Sequence, residues 1–152
     1  MIVFRIAKSK RASDISGSGA ALYPGRWNKK GTPVLYTGES KEIALLENIV
    51  HIPPLIAPKL DILEIEIPDS SITELTTEDL PPNWYKFPAP VILAEIGQEW
   101  IENGKTIALK VPSSIIYTAN NVVLNCNHPD YKAVKILSRK EFYFDSRLSK
   151  YL

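Results

Sequence analysis

The chain has 152 residues, of which 45% are hydrophobic and 23% charged, and this size and composition fit one globular domain covering residues 1–152. The 18 basic and 17 acidic residues leave a formal net charge of +1, whereas proteins that bind nucleic acid directly usually have a clear basic excess. A single cysteine excludes an intramolecular disulfide, and no stretch approaches the ~20 apolar residues that cross a bilayer, so we expect a cytoplasmic protein without a membrane partner.

Strands and helices are interspersed along the chain without a regular βαβ order. Strands are predicted where β-branched and aromatic residues concentrate, and helices where apolar residues recur at helical spacing between capping signals. In chain order the predicted elements are a strand at 1–6, a long loop at 7–31, a strand at 32–37, a helix at 40–51, a strand at 60–67, an irregular segment at 70–90, a helix at 90–103, and strands at 106–111, 113–117, 121–125 and 140–145. This mixture predicts a compact α+β domain with a central mixed or antiparallel sheet and a few helices.

Glu47 is a candidate catalytic residue because of its place in the first long predicted helix. It lies four residues after Ile43 and three after Ala44, so helical spacing puts it beside apolar side chains. A carboxylate in such a place is partly desolvated and needs a cationic or hydrogen-bonding partner. The pattern alone favours a boundary glutamate that reaches water or pairs with a lysine, and a functional carboxylate is the alternative.

Tyr36, Arg26 and Arg5 are the other candidates. Tyr36 lies in a predicted strand, where a tyrosine is most often a core residue with its hydroxyl satisfied at the rim. Arg26 follows Gly25, which permits close backbone approach, and precedes Trp27, whose burial would hold the loop. A guanidinium held in this way suits a carboxylate or phosphate, and an exposed arginine in a surface turn is the alternative. Arg5, inside the apolar strand MIVFRI, would need an anion if it faces inward.

Other polar patterns carry weaker signals. Glu64 and Glu66 form an E-x-E pair similar to the acidic motif of arginine-directed ADP-ribosyltransferases, but a solvated strand face explains them more simply. His51 and His128 are too isolated for a metal site and Cys126 has no motif partner, so no metal is expected. The glycine-rich loops of dinucleotide-binding and P-loop proteins do not occur.

Three blocks in the first third of the chain together resemble the RES domain, a family named for its Arg, Glu and Ser residues. These blocks are GRWN at 25–28, GTPVLYT at 31–37 and IALLENIVH at 43–51. The resemblance continues in order with LPPNW at 80–84, IGQEWI at 96–101, LKVPSSII at 109–116, NVVLNCNHPDY at 121–131 and FYFDSRL at 142–148, so it covers nearly the whole chain. The sequence departs from the family pattern at Cys126, where a proline is customary, and before GRWN, where a second glycine is common.

The resemblance implies the toxin of a bacterial type II toxin–antitoxin system, with an ADP-ribosyltransferase-like fold. Such a toxin would degrade NAD+ by cleaving the bond between nicotinamide and ribose, with water or inorganic phosphate as the acceptor. Transfer of ADP-ribose onto a protein and a catalytically inactive binding module are the alternatives. NAD+ would be the substrate, no other cofactor is expected, and the partner would be an Xre-like antitoxin, with a homodimer inside the complex left open.

The residues at the family's functional positions follow from the same resemblance. The expected catalytic residues are Arg26, Tyr36, Glu47 and Ser113, and the expected NAD contacts are Arg5, Arg26, Asn28, Tyr36 and Asn125. In this hypothesis Arg26 binds the diphosphate, Tyr36 stacks on the nicotinamide, and Glu47 stabilises the ribosyl cation. Ser113 would orient the substrate or a neighbouring side chain by hydrogen bonding.

Overall fold

A seven-stranded mixed sheet forms the centre of the fold in the computed structural model, which describes residues 1–51 and 59–151. The strands are β1 (Ile2–Lys8), β2 (Val34–Gly38), β3 (Leu60–Glu66), β4 (Ile72–Glu74), β5 (Ala108–Pro112), β6 (Asn120–Asn125) and β7 (Lys135–Phe142). Their order in the sheet is β4-β5-β6-β2-β1-β3-β7; β4 and β5 are parallel, and the other neighbours are antiparallel. The predicted α+β class with a mixed sheet and few helices is confirmed.

Three α-helices accompany the sheet within the described residues: α1 (Ser18–Leu22), α2 (Lys41–Ile49) and α3 (Val91–Asn103). Helix α2 begins after Ser40, whose hydroxyl accepts a hydrogen bond from the main-chain N–H of Ile43 at 3.2 Å. Helix α3 ends at Gly104, which adopts a left-handed conformation with φ of 61°. Both long helices were predicted from these capping signals. None of the helices in the described ranges combines the length and the apolar character needed to cross a membrane.

Two predicted irregular segments contain regular structure. The predicted loop at 7–31 includes the short helix α1, and the segment at 70–90 includes strand β4. Strand β4 has three residues, too few for a recognisable alternation, and it exists because its main chain pairs with β5. Tertiary pairing, and not local sequence preference, therefore decides the formation of β4.

Two of the predicted strands were wrong or misplaced. The segment SSIIY at 113–117 is a turn, because the Ser113 hydroxyl accepts hydrogen bonds from the main-chain N–H groups of Ile115 and Ile116. Those N–H groups are consequently lost to any sheet. The last strand, predicted at 140–145, is β7, which starts five residues earlier and pairs with β3 along the edge of the sheet.

The two faces of the sheet carry different clusters of buried side chains. On one face, helix α2 packs through Ala44 onto Ile6 and Leu60. The same face supports α3 through a cluster that contains Trp27, Trp84, Leu93, Trp100, Leu109, Val111 and Val123. The opposite face buries Val3, Leu35, Leu63, Ile65, Val122 and Leu124. In the middle of the sheet, β1 and β2 are in register at one residue pair, Phe4 with Gly38.

Candidate active site

Glu47 lies in the last turn of α2, where two side chains from the sheet meet its carboxylate. Its Oε1 accepts a hydrogen bond from Asn121 Nδ2 at 2.9 Å and a longer one from Ser113 Oγ at 3.4 Å. Asn121 lies near the start of β6 and Ser113 directly follows β5, and these antiparallel strands bring both donors to the same place. Both donors bind Oε1, and Oε2 accepts no hydrogen bond from the described residues. The helix and the sheet thus fix one carboxylate oxygen and leave the other for a ligand.

Ser113 is fully buried, with 0% of its surface exposed. Its hydroxyl oxygen accepts from the N–H groups of Ile115 and Ile116 at 3.1 and 3.3 Å, and its hydrogen points to Glu47. The main-chain N–H of Ser113 donates to the carbonyl of Ala119 at 2.8 Å. The predicted site residue is therefore beside Glu47, and it orients that carboxylate and closes the turn that follows β5.

Arg26 is half-buried in the loop before β2 and interacts electrostatically with Glu47. Its Nη1 donates to the main-chain carbonyls of Trp84 at 2.7 Å and Lys86 at 2.9 Å. Burial lowers the pKa of Arg26, and the negative charge of Glu47 acts in the opposite direction. Within the described chain these are its hydrogen bonds, so Nη2 and Nε remain open to an anion. The Arg26 guanidinium is thus within electrostatic range of the Glu47 carboxylate, although the two form no ion pair within 4 Å.

Tyr36 joins this group as the residue that holds the Arg26 loop. Its hydroxyl accepts from the main-chain N–H of Trp27 at 3.0 Å and donates to Asn28 Oδ1 at 2.7 Å. Burial raises the pKa of the Tyr36 hydroxyl well above its ordinary value, so the hydroxyl remains a donor. A β-carbon at Gly25 would lie 2.8 Å from the hydroxyl end of this ring, which explains the glycine at that position.

Asn28 is 2% exposed, and both polar atoms of its side chain are hydrogen-bonded. Its Nδ2 donates to the carbonyls of Ala20 at 2.8 Å and Thr32 at 3.1 Å. Its Oδ1 accepts from the N–H of Gly25 at 2.8 Å and from Tyr36. The polar atoms of Asn28 are committed to the loop that presents Arg26, and the expected contact with NAD+ stays a prediction.

Arg5 and Asn125 do not join Glu47. Arg5 alternates along β1 with Phe4, so it points to the opposite face of the sheet from α2, where its Nη1 donates to the carbonyls of Ala12 and Asp14. Asn125 is at the far end of β6, roughly 13 Å along the strand from Asn121. Its Oδ1 caps a turn by accepting from a main-chain N–H two residues later. Neither residue lies beside Glu47, so a contact of either with NAD+ would be made at another part of the dinucleotide, and both contacts stay predictions.

A cavity of about 280 Å³ is lined mainly by residues between Arg11 and Tyr23, with Arg5 of β1 and residues 34–36 of β2, at a different place from Glu47. Its walls include Arg5, Arg11, Asp14, Tyr23, Leu35 and Tyr36, and they include neither Glu47 nor Arg26. In this cavity Asp14 accepts from Ser16 and Ser18, and Arg5 Nη1 donates to two main-chain carbonyls, as Arg26 Nη1 does. We place the candidate site at Glu47 because there a carboxylate oriented by two hydrogen bonds interacts electrostatically with an arginine, and Tyr36 lies at both places.

The acidic pair on β3 also lies outside this site. Glu64 pairs with Lys41 at 3.3 Å, and Glu66 is exposed, as expected for a solvated strand face. Within residues 1–51 and 59–151, no three His, Cys, Asp or Glu side chains lie close enough together to hold a metal ion.

Asn121 is the site residue that sequence reasoning missed. Its position in NVVLN puts it on the same strand face as Val123, which is buried under α3. A polar side chain on such a face needs a partner, and this was the available signal. Sequence alone could not name that partner, because Glu47 is 74 residues away along the chain.

We expect Tyr36→Phe to destabilise the protein by about 1–3 kcal/mol, because it leaves the N–H of Trp27 and one acceptor site of Asn28 unpaired. Thermal unfolding followed by circular dichroism measures the change. Tyr117→Phe is the matched control, since Tyr117 is 72% exposed, and it should melt with the wild type. Equal melting temperatures for all three proteins would contradict a structural role for the Tyr36 hydroxyl.

Comparison with known proteins gives a consistent picture over almost the full chain. The family model described as RES domain matches residues 2–145. A protein of Yersinia enterocolitica named "Toxin Res" is 38% identical over 151 residues, covering 97% of this chain and 99% of the relative. A protein of Sphingobium sp. named "Prs ADP-ribosylating toxin" is 34% identical over 146 residues, covering 93% and 91%.

A solved structure extends the comparison to the fold. The crystal structure of the M. tuberculosis MbcT–MbcA toxin–antitoxin complex contains a chain that superposes with a TM-score of 0.76. The superposition covers 99% of this chain and 87% of that one at 16% sequence identity. At that identity the likeness establishes a shared fold.

Proposed function

The chain belongs to the RES domain family, and from this premise we propose that it is the toxin of a bacterial toxin–antitoxin pair and that it degrades NAD+. The reaction is cleavage of the bond between nicotinamide and ribose. The observation that carries the proposal is the Glu47 carboxylate, which accepts two hydrogen bonds through Oε1, accepts none from the described residues through Oε2, and interacts electrostatically with Arg26.

Glu47 supplies the charge that this reaction needs. Departure of nicotinamide leaves a ribosyl group with oxocarbenium character, and a carboxylate held nearby stabilises the positive charge as it develops. The benefit is greatest when the carboxylate is already oriented, because no reorganisation is then required in the transition state. Asn121 and Ser113 provide that orientation from the sheet.

Arg26 suits the other end of the substrate, the diphosphate. A guanidinium forms paired, charge-assisted hydrogen bonds with phosphate oxygens, and Nη2 and Nε are the donors left after Nη1 binds two carbonyls. Partial burial strengthens such a contact, because the local dielectric constant is lower than that of water. The Tyr36 hydroxyl supports this arrangement by holding the N–H of Trp27, the next residue in the loop.

The test of the proposal is nicotinamide release from NAD+ by the purified protein, with and without inorganic phosphate. Release in phosphate-free buffer indicates hydrolysis, and release that requires phosphate indicates phosphorolysis with phosphate as co-substrate. No other cofactor enters this scheme. If no nicotinamide forms at saturating NAD+ under either condition, and no ADP-ribose is transferred elsewhere, the proposed activity is wrong.

Transfer of ADP-ribose onto a protein is the second candidate, and the relative named "Prs ADP-ribosylating toxin" favours it. The first chemical step is the same, so Glu47 and Arg26 keep their roles and the acceptor differs. NAD+ labelled in the adenylate separates the two candidates. Label that becomes attached to a macromolecule supports transfer, whereas label recovered as a small molecule supports hydrolysis or phosphorolysis.

An inactive binding module is distinguished by a different outcome. Such a module turns over no NAD+, and if it does not bind the dinucleotide either, NAD+ leaves its melting temperature unchanged. An active site that binds NAD+ in the folded state alone stabilises the fold as the ligand concentration rises.

A toxin that consumes NAD+ inside its own cell requires an antitoxin, and we propose an Xre-like protein as the partner. Cytoplasmic location follows from the same requirement. Large apolar side chains are exposed on the two loops beside the site, among them Phe87 at 87% and Tyr117 at 72%, and a covering protein would bury them. Adding the antitoxin should suppress nicotinamide release, and light scattering of the complex would report its stoichiometry and any homodimer.

A further inference from the structure

Asn121 combines a short hydrogen bond to Glu47 with an unsatisfied atom. Its Nδ2 donates to Glu47 Oε1 at 2.9 Å, while its Oδ1 is buried and has no hydrogen-bond partner. Within residues 1–51 and 59–151, Asn121 Oδ1 is the one buried side-chain oxygen or nitrogen atom that has no hydrogen-bond partner. A buried acceptor without a donor costs folding free energy, so a residue that only supported the fold would be a poor choice here.

The unsatisfied oxygen is a consequence of the bond to Glu47. A carboxylate only accepts hydrogen bonds, so the amide must turn its NH₂ group toward Glu47. The reverse orientation would put the amide oxygen against the carboxylate oxygen and leave two acceptors facing each other. The interaction with Glu47 therefore fixes the amide, and the carbonyl end is left unpaired.

The packing of α2 holds the Glu47 carboxylate and the Asn121 amide at hydrogen-bond distance. Asn121 lies opposite Gly38 in the register of β2 and β6. A β-carbon at Gly38 would lie 2.9 Å from the main-chain nitrogen of Ala44, so glycine there lets α2 approach the sheet closely. The helix can thus bring Glu47 down to β6.

We propose that Asn121 is a positioning residue for catalysis: it sets the rotation of the Glu47 carboxylate so that Oε2 faces the substrate. The inference rests on the proposed function of Glu47. Asn121 provides the firmer of the two restraints, because the Ser113 contact is 3.4 Å long and that hydroxyl also accepts from two main-chain N–H groups. Both restraints act on Oε1, so loss of Asn121 frees the carboxylate to turn.

Asn121→Leu is expected to lower kcat for nicotinamide release by roughly ten- to a hundredfold, with KM for NAD+ changed little, because the amide orients Glu47 and does not bind substrate. Asn120→Leu is a matched control on the same strand, since Asn120 Nδ2 donates to Glu39 in a second Asn–Glu pair, at 3.2 Å. The control should keep the wild-type kcat. A wild-type kcat for Asn121→Leu, or an equal loss in both variants, would overturn the proposal.

Asn121→Asp gives a readout that a merely structural role would not produce. Two ionised carboxylates at hydrogen-bond distance repel each other, so the pair takes up one proton as the pH falls, and the protonated Asp then donates to Glu47 as the amide did. Arg26 is the charged side chain that acts on Glu47 from the facing loop, and it is the same in every variant. We expect kcat of Asn121→Asp, relative to wild type, to recover at acid pH, and kcat of Asn121→Leu not to recover. Parallel pH profiles for the two variants would count against the proposal.

A stability measurement separates failure of this inference from failure of the proposed function. If the wild-type protein releases no nicotinamide, the proposed function is wrong, and the contact is then judged by a double-mutant cycle with Glu47→Leu in denaturant unfolding. Asn121→Leu should stabilise the Glu47→Leu protein, because the amide there has lost its acceptor and both of its ends are unpaired. Asn121→Leu should not stabilise the protein that retains Glu47. Additive effects would overturn the inference independently of any activity.

Discussion

Glu47→Gln is expected to lower kcat for nicotinamide release by on the order of 10³-fold while the protein remains folded. Glutamine keeps the shape of the side chain, and its Oε1 can still accept from Asn121 and Ser113. The substitution removes the negative charge that stabilises the ribosyl cation. Because Glu47 acts mainly on the transition state, the loss should fall on kcat and much less on KM.

Steady-state kinetics of nicotinamide release checks this expectation, together with a melting curve for each protein. Glu42→Gln is the matched control, because Glu42 is exposed in the first turn of the same helix, and it should retain full activity. Turnover at the wild-type rate by a folded Glu47→Gln protein would remove Glu47 from the mechanism. A variant that fails to fold is distinguished by its melting curve.

Gly97→Ala is expected to lower stability by at least the ~1–3 kcal/mol typical of overpacked cores, and Tm by roughly 5–10 °C. A β-carbon at Gly97 would lie 1.8 Å from the carbonyl oxygen of Trp27 and 2.8 Å from its carbonyl carbon. The obstacle is main chain in a buried loop, so no side-chain rotation relieves it. Either α3 or the loop must shift, and that loop carries Arg26.

Thermal unfolding and NAD+ turnover together measure both consequences. Gly19→Ala is the control, because Gly19 lies in helix α1 and a β-carbon there would have no neighbour within 4 Å. Its Tm should stay level or rise, since alanine restricts the unfolded chain. A Gly97→Ala protein that melts with the wild type would show that the contact between α3 and the Trp27 carbonyl is not tight.

Local signals in the sequence were sufficient for the helix that carries the carboxylate. Ser40 provided the cap of α2, and the spacing of Glu47 from Ile43 put the carboxylate on the boundary of the buried face. Gly104 ended α3 in the same way. These features depend on residues within one or two turns of each other, which is why pattern reasoning reached them.

The partners of the site residues could not be predicted in this way. The carbonyls that hold Arg26 are 58 and 60 residues away in sequence, and carbonyl groups carry no side-chain signature. Arg5 was expected to contact NAD+ from the family resemblance, and the pleat of β1 places it on the opposite face of the sheet from α2. The β-branched segment after Ser113 looked like a strand, and a single hydroxyl made it a turn. The partners of Arg26 are long-range contacts that no local pattern encodes, whereas the turn after Ser113 is a local hydrogen bond that competes with strand formation.

Phe4 and Gly38 form the single register pair between β1 and β2, so these two strands are weakly joined. We call the line between them the seam of the sheet. Strands β1, β3 and β7 lie on one side of the seam and β2, β6, β5 and β4 on the other. Helix α2 straddles it, with apolar contacts to Ile6 on one side and the Glu47 hydrogen bonds to the other. A small opening along this seam would therefore tilt the carboxylate, while the strand pairing on either side of the seam stays intact.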